Sequence, residues 1–439
     1  MAEDLSLAES IVDRFGSTVA DMVGEQPHRA ARLLRYAFEL KQFQTRHLPE
    51  RTALPSGRMG ARICLESVTG ALMHPDEAVL TSVFMPTEIL QAMGLRPLVA
   101  EALSNFISAA HAEEGMVRAA DQRGIPETYC SYHRILLGAA AAKVLAPPRL
   151  IANCSVACDA NNTTFKWLAR DLDVPHVYID VPYRYDEDAC AYVADQLRDL
   201  AAIAQETYGR TLDEAVLRER VDVTGRTLDA MARTLPLRRH RYLANDMGLE
   251  MQEAMALHPS LGTDDTLRMA EQLEHDLEHA EAFDGISLVW MHTAPFFSPA
   301  LQQLLNRNRD VQITVSDMCL NQVSFEPWVH GADEPYEAMA ERLIKNVYNG
   351  PAERRLERVR HLVDAVDADG VVCFCHWGCK ETMGASQLVK RELEAAGTPV
   401  LVLDGDGCHR ANNAEGQSAT RVGAFLEMLK TKKEVAHVA

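Results

Sequence analysis

The sequence has few basic residues relative to its acidic ones. It contains 44 Lys and Arg against 63 Asp and Glu, a formal net charge of -19 over 439 residues. Such an excess repels polyanions except where basic residues cluster locally, so we expect no nucleic-acid partner. Low-complexity tracts are absent, 47% of the residues are hydrophobic, and the length exceeds what one hydrophobic core usually organises. We therefore expect a globular protein of two or three domains.

Long hydrophobic runs are also missing. Residues 1–21 are acidic at the start and contain no uninterrupted apolar core of signal-peptide length. The longest apolar runs, such as residues 135–142, are far shorter than the roughly 20 residues that a membrane span requires. We therefore expect a cytoplasmic protein that does not act at a membrane. Disulfides are rare in that compartment.

The pattern of apolar residues divides the chain into four parts. Residues 1–75 show helical periodicity with many charges, which predicts a helical N-terminal element. Short apolar runs alternate with helix-like stretches in residues 76–190 and again in residues 284–439, which indicates two α/β domains with parallel sheets. Residues 191–283 are rich in Ala, Leu, Glu and Arg and are predicted to form a helical connector. The short runs lie at 78–84, 87–93, 150–153, 176–181, 286–291, 311–315, 370–374 and 400–403, with helices expected at 335–348 and 352–366.

In a cytoplasmic chain, ten cysteines need an explanation other than disulfide bonds. Turns that lead from a strand to a helix are where parallel sheets bind ligands and cofactors. A helix N-terminus also favours a thiolate and lowers its pKa, so a cysteine there ligates metal readily. Three thiolates from separate turns suit an iron–sulfur cluster with one iron left open. Five cysteines lie beside the predicted element ends, at Cys130, Cys154, Cys158, Cys375 and Cys379.

The cysteines have two other possible roles. Any one of them could be a small buried side chain, as free cysteines often are, and we expect this of Cys64, Cys190 and Cys319. The stretch CFCHWGC at residues 373–379 could alternatively hold zinc. Zinc sites favour C-x-x-C spacings with a second local pair, which this chain lacks. The spacing therefore favours an iron–sulfur cluster over zinc.

Five stretches of the sequence form a specific pattern when taken in order. They are VFMPTEILQAMG (83–94), YCSYHR (129–134), CD (158–159), HWGCK (376–380) and EGQSATRVGAFLEML (415–429). Together they cover most of the chain from about residue 78 onward, and three of them carry a cysteine. This pattern resembles the 2-hydroxyacyl-CoA dehydratase and benzoyl-CoA reductase family. The resemblance implies two flavodoxin-like (Rossmann-like) parallel-sheet domains together with helical parts.

The resemblance also implies an activity. Cys130, Cys158 and Cys379 are then the ligands of a [4Fe-4S] cluster in a subunit of an oxygen-sensitive (R)-2-hydroxyacyl-CoA dehydratase. An ATP-dependent [4Fe-4S] activator protein supplies one low-potential electron, and the acyl-CoA thioester becomes a ketyl radical anion. This radical expels the 2-hydroxyl, loses a β-proton and returns the electron, so the net loss is one water. The implied partners are the acyl-CoA substrate, the activator, and a homologous subunit or a second copy of this chain.

Two further residues take candidate roles from the same motifs. Glu88 matches the glutamate of the family's Pro-x-Glu motif and is predicted to handle the β-proton or the leaving hydroxyl. Its alternative is a carboxylate at a helix start that complements the helix dipole. Ser82 lies just before this motif, where many members have a cysteine or a Ser-Tyr pair. It is the candidate for a hydroxyl near iron.

The remaining cysteines leave two alternative functions open. Cys154, Cys373, Cys375 and Cys408 exceed what one three-cysteine cluster needs, which keeps a reductase with a double-cubane [8Fe-9S] cluster as an alternative. A non-catalytic, cluster-binding partner subunit is a third possibility. A second group of candidates, as ligands or neighbours of a cluster, consists of Cys154, Cys375, Cys408 and His376.

Three other features of the sequence are less specific indications of a ligand site. The basic stretch RRHR at residues 238–241 could meet CoA phosphates or the activator, or be a solvated helix face. His292, after a predicted strand, is a candidate to line the cleft or a hydrogen-bonded histidine of the core. The DGDG turn at residues 404–407 permits a close approach to a ligand but lacks a Walker lysine, so we expect no ATP binding by this chain.

Overall fold

The computed structural model describes the backbone of residues 2–438 and the side chains of residues 9–414 and 416–435. The strands are β1 (Ala78–Thr81), β2 (Arg96–Val99), β3 (Ile151–Cys154), β4 (His176–Ile179), β5 (Ile286–Met291), β6 (Val311–Ser316), β7 (Gly370–His376) and β8 (Val400–Gly405). The helices are α1 (Ala2–Glu25), α2 (Pro27–His47), α3 (Pro55–Met73), α4 (Glu88–Ala92), α5 (Ala100–Ala109), α6 (Glu113–Gln122), α7 (Ser131–Ala141), α8 (Asp159–Leu172), α9 (Glu187–Tyr208), α10 (Glu214–Leu237), α11 (Met247–Ala256), α12 (Asp264–Glu278), α13 (Pro299–Leu305), α14 (Pro335–Ile344), α15 (Ala352–Val366), α16 (Lys380–Ala395) and α17 (Glu415–Val438).

The strands form two parallel four-stranded sheets with the same topology. Their orders are β2-β1-β3-β4 and β6-β5-β7-β8. In each sheet the first strand along the chain is an inner strand, the second lies on one side of it, and the third and fourth lie on the other side. This order is the flavodoxin-like form of the doubly wound fold. Every residue of β5, β6 and β7 is buried, as expected when helices cover both faces of a parallel sheet. The prediction of two flavodoxin-like domains is therefore confirmed.

The strand β2 was not predicted, and its sequence explains why. It begins Arg96-Pro97, and proline cannot donate to a ladder of backbone hydrogen bonds. Because β2 pairs only with β1, at the edge of the first sheet, the missing N–H of Pro97 costs no ladder bond. A pattern that searches for uninterrupted β-forming residues misses such an edge strand.

The strand β7 is longer than the sequence predicted. It lies between β5 and β8, and its pairing with β8 continues to His376, which is opposite Gly405. Cys373 and Cys375 are therefore buried inside the strand, whereas the sequence placed Cys375 after it. Partners on both sides extend a strand beyond the run of apolar side chains that reveals it.

Helices pack around and between the two sheets. The N-terminal element is helical as predicted, and α3 packs against α2, α11 and α12. One hydrophobic core runs without interruption from the first sheet to the second, and a separate cluster covers the other face of the second sheet. Within the described residues, no helix combines the length and the hydropathy needed to cross a bilayer.

A buried ion pair joins α4 of the first half to α10 and α14. Glu88, fully buried at the start of α4, accepts hydrogen bonds through Oε1 from Arg342 Nη2 at 2.5 Å and from Thr224 Oγ1 at 2.8 Å. Its Oε2 has no hydrogen-bond partner among the described residues. Breaking a buried ion pair on one side leaves an uncompensated charge, so this pair acts as a constraint on how the three helices meet.

We expect Glu88→Gln to destabilise the fold by about 3 kcal/mol or more, because it leaves the Arg342 guanidinium buried without a counter-charge. Chemical denaturation followed by circular dichroism measures this loss. The matched control is Arg233→Gln, which breaks the exposed pair between α10 and α12 (Arg233 Nε to Glu274 Oε1, 2.7 Å). Exposed pairs contribute at most about 1 kcal/mol. Equal losses in the two variants would contradict a structural role for Glu88.

Candidate functional site

The carboxyl ends of the two sheets open onto one cavity of about 90 Å³. Its walls come from segments that follow β1, β3, β5, β6 and β7, and from the first turns of α5 and α7. This is the end of a doubly wound sheet at which ligands bind. The lining includes Val83, Phe84, Glu101, Asn105, Cys130, Tyr132, His133, Cys158, Met251, Met255, His292, Met318, Tyr348, His376, Cys379 and Glu381.

The three cysteines named from the resemblance all line this cavity, each at the start of a helix. Cys130, Cys158 and Cys379 are the N-cap residues of α7, α8 and α16. The first amide groups of a helix have no partner within the helix and carry partial positive charge. One of them, the N–H of Asn161, donates to Cys158 Sγ at 3.3 Å. The N-terminus of α8 is therefore directed at the Cys158 sulfur, and α7 and α16 begin at the other two cysteines.

A glycine brings the turn of the second sheet against that of the first. Gly378 has φ +78, and a Cβ atom built on it would lie 2.6 Å from the backbone nitrogen of Cys130. A second contact holds the start of α7 against the loop after β8, because Ser131 Oγ donates to the buried carboxylate of Asp406 at 2.6 Å. Cys379, which directly follows Gly378, thereby lies in the same cavity as Cys130.

Burial and mutual repulsion keep the free thiols protonated. Burial raises the pKa of Cys130 well above its usual value, and the neighbouring Cys379 and Cys158 raise it further. Burial likewise raises the pKa of Cys158, with Cys379 adding to the effect. Three thiolates in one buried cavity therefore need a bound cation, since a metal holds its cysteine ligands in the deprotonated form.

Two histidines donate hydrogen bonds to two of the sulfurs. The N–H of Gly407 donates to His376 Nδ1 at 2.9 Å, so the proton of this imidazole is on Nε2, which lies 3.3 Å from Cys130 Sγ. The N–H of Thr293 donates to His292 Nδ1 at 2.7 Å, and His292 Nε2 lies 3.2 Å from Cys379 Sγ. Burial lowers the pKa of both histidines, so both are neutral donors.

The backbone of His292 is held in an unusual conformation by a buried network. Its φ of 74 is rare for a residue with a side chain. Its N–H donates to Asp317 Oδ1 at 2.8 Å, and Asp317 Oδ2 accepts from Arg355 Nε at 2.8 Å. Arg355 also pairs with Glu381 at 2.8 Å, in the first turn of α16. One buried guanidinium thus fixes both the His292 turn and the helix that begins at Cys379.

The same region contains a second set of metal-ligand types. Ligand atoms of His292, Cys379 and Glu381 lie within 4.8 Å of one another. The Glu381 carboxylate, however, already accepts hydrogen bonds from Arg355 Nη1 through both oxygens, at 3.1 and 2.8 Å. His292 directs its N–H, not a lone pair, at the sulfur. This geometry suits a hydrogen-bonded thiolate ligand better than a mononuclear metal site.

The cavity lining contains two carboxyl groups, and the one without an arginine partner among the described residues belongs to Glu101. Burial raises the pKa of Glu101 to about 7, although the N–H of Val83 donates to its Oε2 at 3.1 Å. The sequence interpretation did not identify this residue. Glu101 comes two residues after β2, the edge strand that was not predicted. The rule that located the cysteines, a reactive side chain just after a strand, would have found it had β2 been recognised.

Most of the other candidate residues lie outside this cavity. Glu88 lies in its ion pair with Arg342, and the Ser82 hydroxyl lies beside the Cys154 thiol, whereas the next residues, Val83 and Phe84, line the cavity. Of the second group of candidates, His376 lines the cavity and the others do not. The cysteines outside it, all with described side chains and all buried, are Cys64, Cys154, Cys190, Cys319, Cys373, Cys375 and Cys408.

The basic stretch at residues 238–241 forms internal contacts. Arg238 is buried and donates to the carbonyl of Thr314 at 3.1 Å and to Glu253 at 3.3 Å. Arg239 pairs with Asp367 at 3.1 Å. The stretch therefore holds the end of α10 against the second half, and its guanidinium groups do not converge on a ligand site. The DGDG turn also acts internally, since Asp406 and Gly407 position Ser131 and His376.

Comparison with known proteins identifies the family of this chain. A family model described as "2-hydroxyglutaryl-CoA dehydratase, D-component" matches residues 82–429. Lactoyl-CoA dehydratase subunit alpha of Anaerotignum propionicum is 25% identical over 396 residues, which cover 80% of this chain and 90% of that protein. The (R)-phenyllactyl-CoA dehydratase alpha subunit of Clostridium sporogenes is 22% identical over 377 residues, 80% of this chain and 88% of that protein. The family match includes the strands β2 to β8 and all three cavity cysteines, and the chain belongs to the 2-hydroxyglutaryl-CoA dehydratase D-component family.

Proposed function

We propose that this chain is the cluster-binding, catalytic subunit of a 2-hydroxyacyl-CoA dehydratase. The observation that carries the proposal is the convergence of three cysteine thiols from three helix N-termini on one cavity that also contains a buried carboxyl group. Both similar proteins are alpha subunits of enzymes named as dehydratases of CoA esters. Such a subunit acts with a partner, which is a homologous subunit or a second copy of this chain.

The donor set fits a [4Fe-4S] cluster held by Cys130, Cys158 and Cys379. When bound, the cluster supplies one low-potential electron and a Lewis-acidic iron for the thioester carbonyl of the substrate. Three cysteines leave one iron without a protein ligand, as a substrate-binding cluster needs. The electron comes to this site from an ATP-dependent [4Fe-4S] activator protein. The chain's own contribution is to hold the three sulfurs and to offset their negative charge.

The histidines and helix starts provide that offset. N–H groups of His376 and His292 point at the sulfurs of Cys130 and Cys379, and the α8 amide points at Cys158. Hydrogen bonds to cluster sulfurs raise the reduction potential of an iron–sulfur centre. Each of the three sulfurs therefore has its own donor, and all three donors are fixed by the fold.

We assign the proton transfer of the dehydration to Glu101. Its carboxyl lines the cavity with the three thiols, and Oε2 is held by the Val83 N–H, which leaves Oε1 free to accept a proton from the substrate. A pKa of about 7 suits a general base at neutral pH. Glu88 matches the family motif, but it is held in its ion pair with Arg342 and does not line the cavity. The geometry therefore favours Glu101 over Glu88 for this step.

The remaining wall of the cavity is apolar. Phe84, Met251, Met255 and Met318 surround the space in front of the sulfurs, and Tyr348 closes one side. Apolar walls exclude water, which strengthens electrostatic interactions inside and protects a reactive radical from side reactions. Methionine side chains also adapt their shape to different acyl groups.

The placement of the other cysteines favours a single cluster. A double-cubane centre needs additional thiolates at the same cavity, and Cys154, Cys373, Cys375 and Cys408 do not line it. Cys373 and Cys375 are side by side on one face of β7, inside the sheet. The reductase with a double cluster is therefore the less favoured candidate.

We expect Cys130→Ala, Cys158→Ala and Cys379→Ala each to remove the visible absorbance of the anaerobically purified protein, because two thiolates do not retain a [4Fe-4S] cluster. Absorbance and iron and sulfide quantitation measure this. Wild type should contain about four irons per chain. The matched control is Cys64→Ala, which removes a buried thiol outside the cavity and should leave the iron content unchanged. Wild-type absorbance in the three variants, or about eight irons in wild type, would contradict the assignment.

We expect Glu101→Gln to lower kcat/KM for dehydration by about 100-fold or more, while the cluster absorbance stays at the wild-type level. The wild-type kcat/KM should rise with pH through about 7, since the base acts only when deprotonated, and this step should be missing in Glu101→Gln. Glu353→Gln, an exposed glutamate in the first turn of α15, is the control and should keep both rate and profile. A variant at position 101 with wild-type rates would assign the base elsewhere.

A further inference from the structure

A second cavity, of about 710 Å³, lies at the opposite end of the first sheet. Its interior is aliphatic and aromatic, with Leu34 and Phe38 of α2, Leu80 of β1, Leu103 and Ile107 of α5, and Ala140 of α7 among its lining. The volume is within the range of about 300–1,000 Å³ typical of small-molecule sites.

This cavity is separate from the site of the cysteines. On α7, Tyr132 and His133 face the cysteine cavity, whereas residues 139–141 face the second one, and the intervening Ile135 and Leu136 are fully buried. On β1, the cavity is lined by Ala78 and Leu80, whereas Val83, beyond the carboxyl end, lines the cysteine cavity.

The mouth of the second cavity is basic, in a chain whose net charge is -19. His28, Arg32 and Arg35 lie on one face of α2, at positions i, i+4 and i+7, and Lys143 faces them from beyond the end of α7. The one acidic residue of the lining, Asp171, pairs with Arg123 at 3.8 Å. Arg32, Arg35 and Lys143 form no ion pair with any side chain that the structure describes.

We propose that this cavity binds an aliphatic carboxylate, with its alkyl chain in the interior and its carboxylate on Arg32, Arg35 and Lys143. Guanidinium groups bind carboxylates through two parallel hydrogen bonds, and their stems extend an apolar wall toward the mouth. Arg32, Arg35 and Lys143 share one cavity lining and have no counter-ion among the described side chains, so a bound anion would reduce their mutual repulsion. The site is independent of the proposed dehydratase chemistry, because it shares no lining residue with the cysteine cavity.

The test uses the anaerobically purified full chain and a dansyl-labelled fatty acid as the fluorescent probe. We expect saturable binding of the probe and its displacement by decanoate. Decanol, with the same chain and no charge, should displace it at least about tenfold less effectively, because the cations at the mouth contribute to affinity. Inorganic phosphate, which lacks the chain, should not displace it. Equal displacement by decanol and decanoate would overturn the assignment of an anionic ligand.

Variants distinguish specific binding in this cavity from nonspecific adsorption of the ligand to the protein. Arg32→Gln combined with Arg35→Gln should weaken decanoate binding about tenfold or more, and Ala140→Phe should remove it by filling the interior. Melting temperatures show whether the filled variant folds, and the charge variant tests the site without altering the interior. The control is Arg29→Gln, which removes the same charge from α2 outside the lining and should bind like wild type.

Four further results would overturn the proposal. The first is wild-type binding in the Arg32 and Arg35 double variant, and the second is an equal loss in Arg29→Gln. The third is binding only to vesicles of anionic phospholipid with no affinity for free decanoate, which would make the basic mouth a lipid-surface contact. Sedimentation of the protein with such vesicles measures this last outcome. The fourth is the absence of decanoate binding in wild type together with dissociation of a dimer by the same double variant, which would make this face a subunit interface.

Discussion

The candidate site depends on the close contact between the turns that carry Cys130 and Cys379. Gly378 lies so near the Cys130 backbone that a Cβ atom on it would be 2.6 Å from the amide nitrogen. This contact brings the carboxyl ends of two separate sheets to one cavity. A side chain at position 378 would push the two turns apart and separate Cys379 from the other two thiols. The family's glycine in HWGCK thus has a packing reason in addition to its permissive φ.

Charge explains why the cavity needs a bound group. Burial raises the pKa values of its thiols and of Glu101, and lowers those of its histidines, so these groups prefer their neutral forms. The Asn161 amide and two histidine N–H groups nevertheless point at the sulfurs, as donors do around anions. Such donors are useful only when the sulfurs carry negative charge. The proposed cluster would resolve this conflict, because its cationic irons would hold the thiolates that the donors then stabilise.

Local patterns in the sequence predicted individual strands, helices and helix starts. The apolar run at 286–291 and the helix expected at 352–366 coincide with β5 and α15, and three cysteines that precede predicted helices are N-cap residues in the structure. The edge strand β2 could not be recognised, since Pro97 breaks its pattern. Glu101 was missed with it. The Glu88–Arg342 pair joins residues 254 positions apart, and no local pattern reveals such a contact.

The central claim is that one [4Fe-4S] cluster occupies the cavity between Cys130, Cys158 and Cys379. The most direct measurement is an iron anomalous-scattering map from anaerobically grown crystals. A single compact iron peak within bonding distance of the three sulfurs, about 2.3 Å for a metal–thiolate bond, is the predicted result. Iron density beside Cys154, Cys373, Cys375 or Cys408, or a cavity without iron in a protein that retains dehydratase activity, would contradict the account.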